Sequence, residues 1–214
     1  NGQTATVYDR VTPNPTLACV REGIALLKGA GADCIVAVGG GSPMDAAKAI
    51  ATLAVQERAD EQIFAGGYAP VALPMAHVPT TAGTGSEVSP FAVTSTEEKK
   101  MFLNSPYLYA SVALVDPILT ASMPAKVTAA TGLDALTHGV EGVCGKTNPF
   151  TLALTRQCAA LVVRSLKRAV EDGTDLQARY DMSFASVLGM LAYNQGGGLY
   201  AHSISYILTL GKGH

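Results

Sequence analysis

The spacing of hydrophobic positions changes character near residue 120. Up to Asp116, helix-spaced apolar residues alternate with short runs rich in β-branched residues, the βαβ signature of a parallel sheet. Residues 16–29 carry Leu17, Val20, Ile24 and Leu27 at helical spacing, with Asn14 or Thr16 placed to cap, Pro15 suited to the first turn, and Gly29 and Gly31 placed to stop the helix. The run Cys34-Ile35-Val36-Ala37-Val38 shows no alternation and predicts a strand covered on both faces. Residues 43–55 predict the next helix, and 72–78, 91–94 and 112–115 predict three further short strands. From Pro124 onward, the windows 125–143, 149–171, 176–194 and 199–210 all show helical spacing, with no strand pattern between them. The fold class is therefore α/β: an α/β domain over residues 1–119 followed by an all-helical domain over 120–214.

Composition narrows the partners. Fifteen Lys+Arg against seventeen Asp+Glu in 214 residues leave a net charge of −2, and the pI near 6.1 lacks the basic excess of a nucleic-acid-binding surface. The chain is 48% hydrophobic with a mean hydropathy of +0.25. No window reaches the ~18 uninterrupted apolar residues of a membrane helix, and the longest, 112–123, is cut by Asp116 and Pro117. Neither a nucleic-acid partner nor a membrane span is expected. Cys19, Cys34, Cys144 and Cys158 are too scattered for a disulfide scaffold or a structural zinc, and read as reduced thiols of a cytoplasmic protein. The opening Asn1-Gly2-Gln3-Thr4 has neither an initiator Met nor a signal segment, as expected of a fragment or a processed chain.

Two loops carry the polar chemistry of the first domain. Gly39-Gly40-Gly41-Ser42-Pro43-Met44-Asp45 lies between a predicted strand and a predicted helix. Its glycines let backbone approach a ligand, and the free N–H groups of the helix start favour a phosphate or pyrophosphate. The spacing is not Gly-x-Gly-x-x-Gly, and no Lys-Ser/Thr follows, so the loop is of another kind than the common nucleotide fingerprints. A tight turn without a ligand is the alternative, but the position between strand and helix favours a dinucleotide or phosphate site. Pro79-Thr80-Thr81-Ala82-Gly83-Thr84-Gly85-Ser86-Glu87 follows the next strand and offers hydroxyl and N–H donors at the carboxyl edge of a parallel sheet, where ligands of open α/β folds bind. A capped turn explains it equally well in isolation; together the loops fit a long ligand gripped at two points.

In the helical half, Asp134 and His138 stand at i and i+4, so a carboxylate and an imidazole share one helix face and can converge on a divalent metal. A surface carboxylate–imidazole pair has the same spacing. A third ligand would have to come from far along the chain, and His202 interrupts an otherwise apolar helical region. His77, in a strand, reads as a packed or hydrogen-bonded residue. Glu141 fits a residue supporting a metal ligand, but a solvated helix face is its simpler reading.

These segments, with residues 11–16 and 112–117, run in one order that resembles the iron-containing (group III) alcohol dehydrogenases over essentially the whole chain. The resemblance implies a Rossmann-like dinucleotide-binding domain followed by a helical metal-binding domain. It implies that Gly40, Gly41, Ser42 and Asp45 line the pyrophosphate region of NAD or NADP and that Thr80, Thr81 and Thr84 approach its ribose and nicotinamide end. Lys100, or Lys99 in a shifted register, matches the family's cofactor-contacting lysine. Asp134, His138 and His202 match three ligands of a divalent metal, Fe²⁺ first and Zn²⁺ as the alternative.

The implied activity is hydride transfer between a primary or secondary alcohol and NAD(P), by a cytoplasmic homo-oligomer acting on a small alcohol or aldehyde. No catalytic residue beyond the metal ligands is indicated. Related activities of the wider superfamily (glycerol dehydrogenase, hydroxyacid–oxoacid transhydrogenase, a dehydroquinate-synthase-like lyase) are the alternative, as is an inactive truncated chain with a binding or scaffold role. The family's fourth ligand, a histidine in a Pro-His-Gly step, is expected just past His214. Its first strand and an acidic cofactor contact are expected before Asn1. Tyr206 stands four residues after His202, where many members carry another histidine.

Overall fold

The structure is a computed structural model that describes residues 2, 4–56, 71–96, 100–145, 147–197 and 201–205. Its elements in chain order are α1 (Leu17–Ala30), β1 (Ile35–Gly39), α2 (Gly41–Leu53), β2 (Met75–Pro79), β3 (Phe91–Ser95), β4 (Lys100–Asn104), β5 (Val112–Ala113), α3 (Ala125–Cys144), α4 (Pro149–Glu171) and α5 (Leu176–Gly196). Each boundary has a local cause. Thr16 caps α1 by accepting from the Cys19 N–H, and Gly31 ends it in the left-handed conformation at φ 61°. Asn148 and Thr151 form a reciprocal capping box at the start of α4, with Pro149 in its first turn. Helix α2 starts at Gly41, two residues before the predicted position, because Pro43 is tolerated inside a first turn whose N–H groups have no intrahelical partner.

Strands β1, β2 and β5 form a parallel sheet in that order, with Ile35 opposite Met75 and Gly39 opposite Pro79. That register brings the two polar loops out side by side at one carboxyl edge. The strand at Phe91 does not join this sheet. It pairs antiparallel with β4, with Ser95 opposite Lys100. Lys99 lies outside the described residues.

Helix α2 packs on β1 and β3, and its alanines 46, 47, 49 and 51 are all buried, so the helix backbone lies close to the strands. The expectation that β1 is covered on both faces is corrected. Ala37 packs with Met44 and Ala47 of α2, whereas Val36 and Val38 are 63% and 59% exposed, on a face that the described residues leave open.

Helices α3, α4 and α5 pack on one another around Cys158, Leu161, Val162, Ala169, Ala178, Met182, Ala185 and Leu188. Ala82, from the second polar loop, belongs to this same core and ties the sheet edge to the helices. Buried Arg179 donates to Gly173 O, Thr128 Oγ1 and Met123 O, satisfying its guanidinium where the chain enters the helical half. Of the helix predicted over 199–210, residues 201–205 are helical and the rest, with Tyr206 and His214, lie outside the described residues. Among the described residues, no helix is long and apolar enough to cross a membrane.

Candidate active site

Asp134 and His138 are one turn apart on α3, with Oδ1 and Nε2 4.0 Å apart. His202 arrives from the segment after α5 and places its Nε2 3.4 Å from the same Oδ1. The two imidazoles stack at 4.5 Å between centroids and 17° between planes, and Tyr193 of α5 meets both edge-on. One ligand atom from each of Asp134, His138 and His202 lies within 4.8 Å of the others, which suits a single cation.

The outer nitrogens fix the direction of the inner ones. His138 Nδ1 is 3.2 Å from the carbonyl of Gly83. A carbonyl only accepts, so Nδ1 carries the hydrogen and Nε2 keeps its lone pair toward Asp134. Burial holds the His138 pKa below the usual imidazole value despite the Asp134 carboxylate, so the ring is neutral, as a ligand must be. Burial alone would raise the Asp134 carboxyl, but the hydrogen bond from the His202 ring, whose own pKa the Asp134 and Glu141 carboxylates raise despite burial, outweighs it and, with His138 close by, holds the group below its usual value.

Close helix crossing delivers His202. A Cβ on Gly142 of α3 would stand 2.6 Å from the backbone of Ala192, so only hydrogen fits where α3 and α5 meet. Helix α5 ends at Gly196, and Gly197 after it takes a φ of 86°, outside the helical range. The segment that carries His202 is held by Glu141, whose Oε1 accepts from Ala201 N–H at 2.7 Å and whose Oε2 lies 2.6 Å from His202 Nδ1. Glu141 is therefore not on a solvated face, the reading given to it above: it is 5% exposed. Its position seven residues after Asp134 and three after His138 was the available signal, since all three then share one side of the helix.

Across a cleft of about 380 Å³ from these residues stands the glycine-loop side. Gly41, Ser42, Asp45, Thr84 and Lys100 line it together with Asp134, His138 and His202. Gly40, Thr80 and Thr81 lie off that wall. Thr80 N–H donates to Gly39 O, and Thr81 packs behind Gly40, where a Cβ would come within 3.2 Å of its methyl. Lys100 Nζ donates to Asn14 Oδ1 at 3.4 Å, and burial lowers its pKa. Both oxygens of Asp45 are engaged by protein: Oδ1 accepts from Ser86 Oγ at 2.8 Å and Oδ2 from Val93 N–H at 3.1 Å.

Sequence reasoning missed Lys48, the one charge inside the alanine-rich run of α2 and three residues after Asp45. It is fully buried and donates to Ser86 Oγ, Ser89 Oγ and Phe91 O, so it joins α2 to the loop that ends in Ser86.

Two family models match the chain. The iron-containing alcohol dehydrogenase model covers residues 1–117, more than half of the sequence. The chain belongs to the iron-containing alcohol dehydrogenase family. The model for the C-terminal part of the Fe-containing alcohol dehydrogenase family covers residues 128–211. Long-chain-alcohol dehydrogenase 1 of Geobacillus thermodenitrificans is 42% identical over 212 residues, 97% of this chain and 54% of that protein. Among solved structures, a 1,3-propanediol oxidoreductase superposes with a TM-score of 0.92 at 41% identity, over 96% of this chain and 55% of that one. A sulfoacetaldehyde reductase of Bifidobacterium kashiwanohense, in complex with NAD+, superposes with a TM-score of 0.91 at 35% identity, over 96% and 56%. The chain thus spans about half the length of the relatives it matches. These relatives share the architecture of a Rossmann-like part followed by helices.

Proposed function

We propose that this chain carries the cofactor and metal residues of a metal-dependent alcohol dehydrogenase, which transfers hydride between a primary or secondary alcohol and NAD(P). One observation carries the reading: the Asp134–His138–His202 cluster faces the glycine-loop wall across a single cleft.

The residues present fit both groups. A carboxylate and two imidazoles, each imidazole tied through Nδ1 to an acceptor, are a donor set for Fe²⁺ or Zn²⁺. A Cβ on Gly41 would lie 3.0 Å from the Thr84 methyl, so the bare glycine leaves the gap between the loops open for a nucleotide. When bound, the cation supplies Lewis acidity that favours negative charge on the substrate oxygen, and the nicotinamide supplies the hydride acceptor.

The chain's own residues do the placing. The backbone N–H groups at the start of α2 would hold the pyrophosphate, assisted by Ser42, and Asp45 braces the neighbouring loop through Ser86. Thr84 and Lys100, on the cleft wall, would contact the cofactor, and Thr80 and Thr81 shape the loop behind Gly40. Phe91, Phe102 and Tyr193 line the cleft as a run of contacting aromatic rings, with Tyr193 beside the imidazoles. The substrate is a small alcohol or its aldehyde.

The test uses the intact protein loaded with Fe²⁺ or Zn²⁺ and supplied with NAD+ or NADP+ and a series of primary alcohols, with NAD(P)H absorbance as the readout. Metal-dependent reduction of the nucleotide is expected, and His202→Ala is expected to lose both bound metal and turnover. Undiminished metal content and turnover in that variant would overturn the assignment.

A further inference from the structure

We infer that Glu141 is a positioning residue for the metal centre, selecting the tautomer and orientation in which His202 presents Nε2 to the cation. The inference rests on the metal site proposed above. The Glu141 carboxylate accepts at both oxygens, from the backbone N–H of Ala201 and from the ring of the next residue, His202. An ionised carboxylate cannot donate, so His202 Nδ1 carries the hydrogen, and in the neutral ring that a cation would require the lone pair is then on Nε2. Nε2 is the atom 3.4 Å from Asp134 Oδ1.

Two successive residues held by one buried side chain leave the ring little freedom. The backbone anchor sets where the segment lies, and the ring anchor sets which way the imidazole turns. This matters because His202 is the one member of the cluster outside α3: Asp134 and His138 are placed by helix geometry, whereas His202 lies after the end of α5.

The two imidazoles are supported differently. His138 is held by a neutral carbonyl, that of Gly83, and His202 by a carboxylate. A carboxylate on the far nitrogen strengthens the imidazole as a metal donor more than a carbonyl does, and removing such a partner typically costs about 10–100-fold in metal affinity. His202 is thus the ligand whose contribution depends on a side chain, and that side chain is Glu141.

The experiment measures Zn²⁺ affinity of the intact protein by competition with a chromophoric chelator, and the visible spectrum after loading with Co²⁺. Glu141→Ala is expected to weaken Zn²⁺ by about 10–100-fold and alter the Co²⁺ spectrum, while NADH affinity, read by fluorescence, stays within about twofold because Glu141 lies off the nucleotide wall. Glu141→Gln, which keeps the volume and an acceptor oxygen but not the charge, is expected to lose at least about threefold and decides the matter if the alanine variant does not fold. Zn²⁺ affinity in the folded variants matching the parent would overturn the role of Glu141. His202→Ala separates the two readings: a parent that binds Zn²⁺ no better than His202→Ala removes the metal site itself, whereas a loss in His202→Ala without one in the Glu141 variants removes only the positioning.

Discussion

Lys48 shows how much one side chain can organise. Its ammonium has three hydrogens and meets three acceptors, Ser86 Oγ at 2.8 Å, Ser89 Oγ at 2.9 Å and Phe91 O at 2.7 Å. Burial brings its pKa down to about 8, against the opposing pull of the Asp45 and Glu87 carboxylates. Lys48→Met would leave those acceptors and the buried Asp45 charge uncompensated. We expect a loss of about 3–5 kcal/mol, measured as a lower urea midpoint of the intact protein. At the cleft, Gly41→Val would push against Thr84 and narrow the nucleotide's path. NADH affinity is expected to fall roughly tenfold, about 1.4 kcal/mol, in a fluorescence titration, while Zn²⁺ affinity is unchanged. Of these residues the glycines and the Asp134–His138 pair were legible, because one loop or one helical turn contains the whole signal. Lys48 was not, and the supporting role of Glu141 stood only as the alternative to a solvated face, since their partners lie 38 to 61 residues away.

The elements follow their local signals closely where a cap or a stop is present, as at Thr16, Gly31 and Asn148. Pairing is different. Four residues, 96–99, separate β3 from β4, too few for the crossover that parallel neighbours need, so the two strands form an antiparallel ribbon. The Glu97-Glu98-Lys99-Lys100 run hides β4 in the sequence, because successive charges show neither strand alternation nor an apolar run. Between helices, small residues set the geometry. At the α3–α5 crossing, Gly142→Val would drive a branched side chain into the Ala192 backbone and spread the helices. A loss of at least about 1–3 kcal/mol is expected, and since Gly142 adjoins Glu141, metal affinity should fall with it. Thermal unfolding together with Zn²⁺ competition checks both. The Asn148 cap is an independent case: Asn148→Ala should cost about 1 kcal/mol in thermal unfolding with no effect on metal binding, since Asn148 serves only the start of α4.

For the molecule as a whole, the cleft depends on how the sheet half and the helical half are joined. Ala82 enters the helical core, His138 meets Gly83 O, and Asn194 of α5 donates to Val88 O at 2.8 Å. These contacts make the second polar loop a shared wall, so the metal residues and the nucleotide loops keep a fixed separation. Within the sheet, buried His77 of β2 gives the fold an acid sensitivity. Burial first, and the Lys48 charge second, bring its pKa down to about 4 from an ordinary 6.5. Between those values the unfolded chain binds a proton that the folded one refuses, so stability falls as pH drops through this window. Relative to His77→Leu, the parent is expected to lose on the order of 1–2 kcal/mol on going from about pH 7 to about pH 5. Urea midpoints of both proteins at the two values would show it, and an equal shift in both would contradict it.

By itself the sequence determined the succession of elements, the two loops at strand ends and the paired ligands on α3, because each is written within a few residues as periodicity, glycine placement or helical spacing. Tertiary structure alone decided which strands pair, that His202 reaches Asp134 across 68 residues of chain, and that Glu141 and Lys48 are buried rather than solvated. Those outcomes arise where distant segments exclude water together: a charge can remain in such a place only if the fold supplies its partners, and a single sequence does not display which distant residues those are.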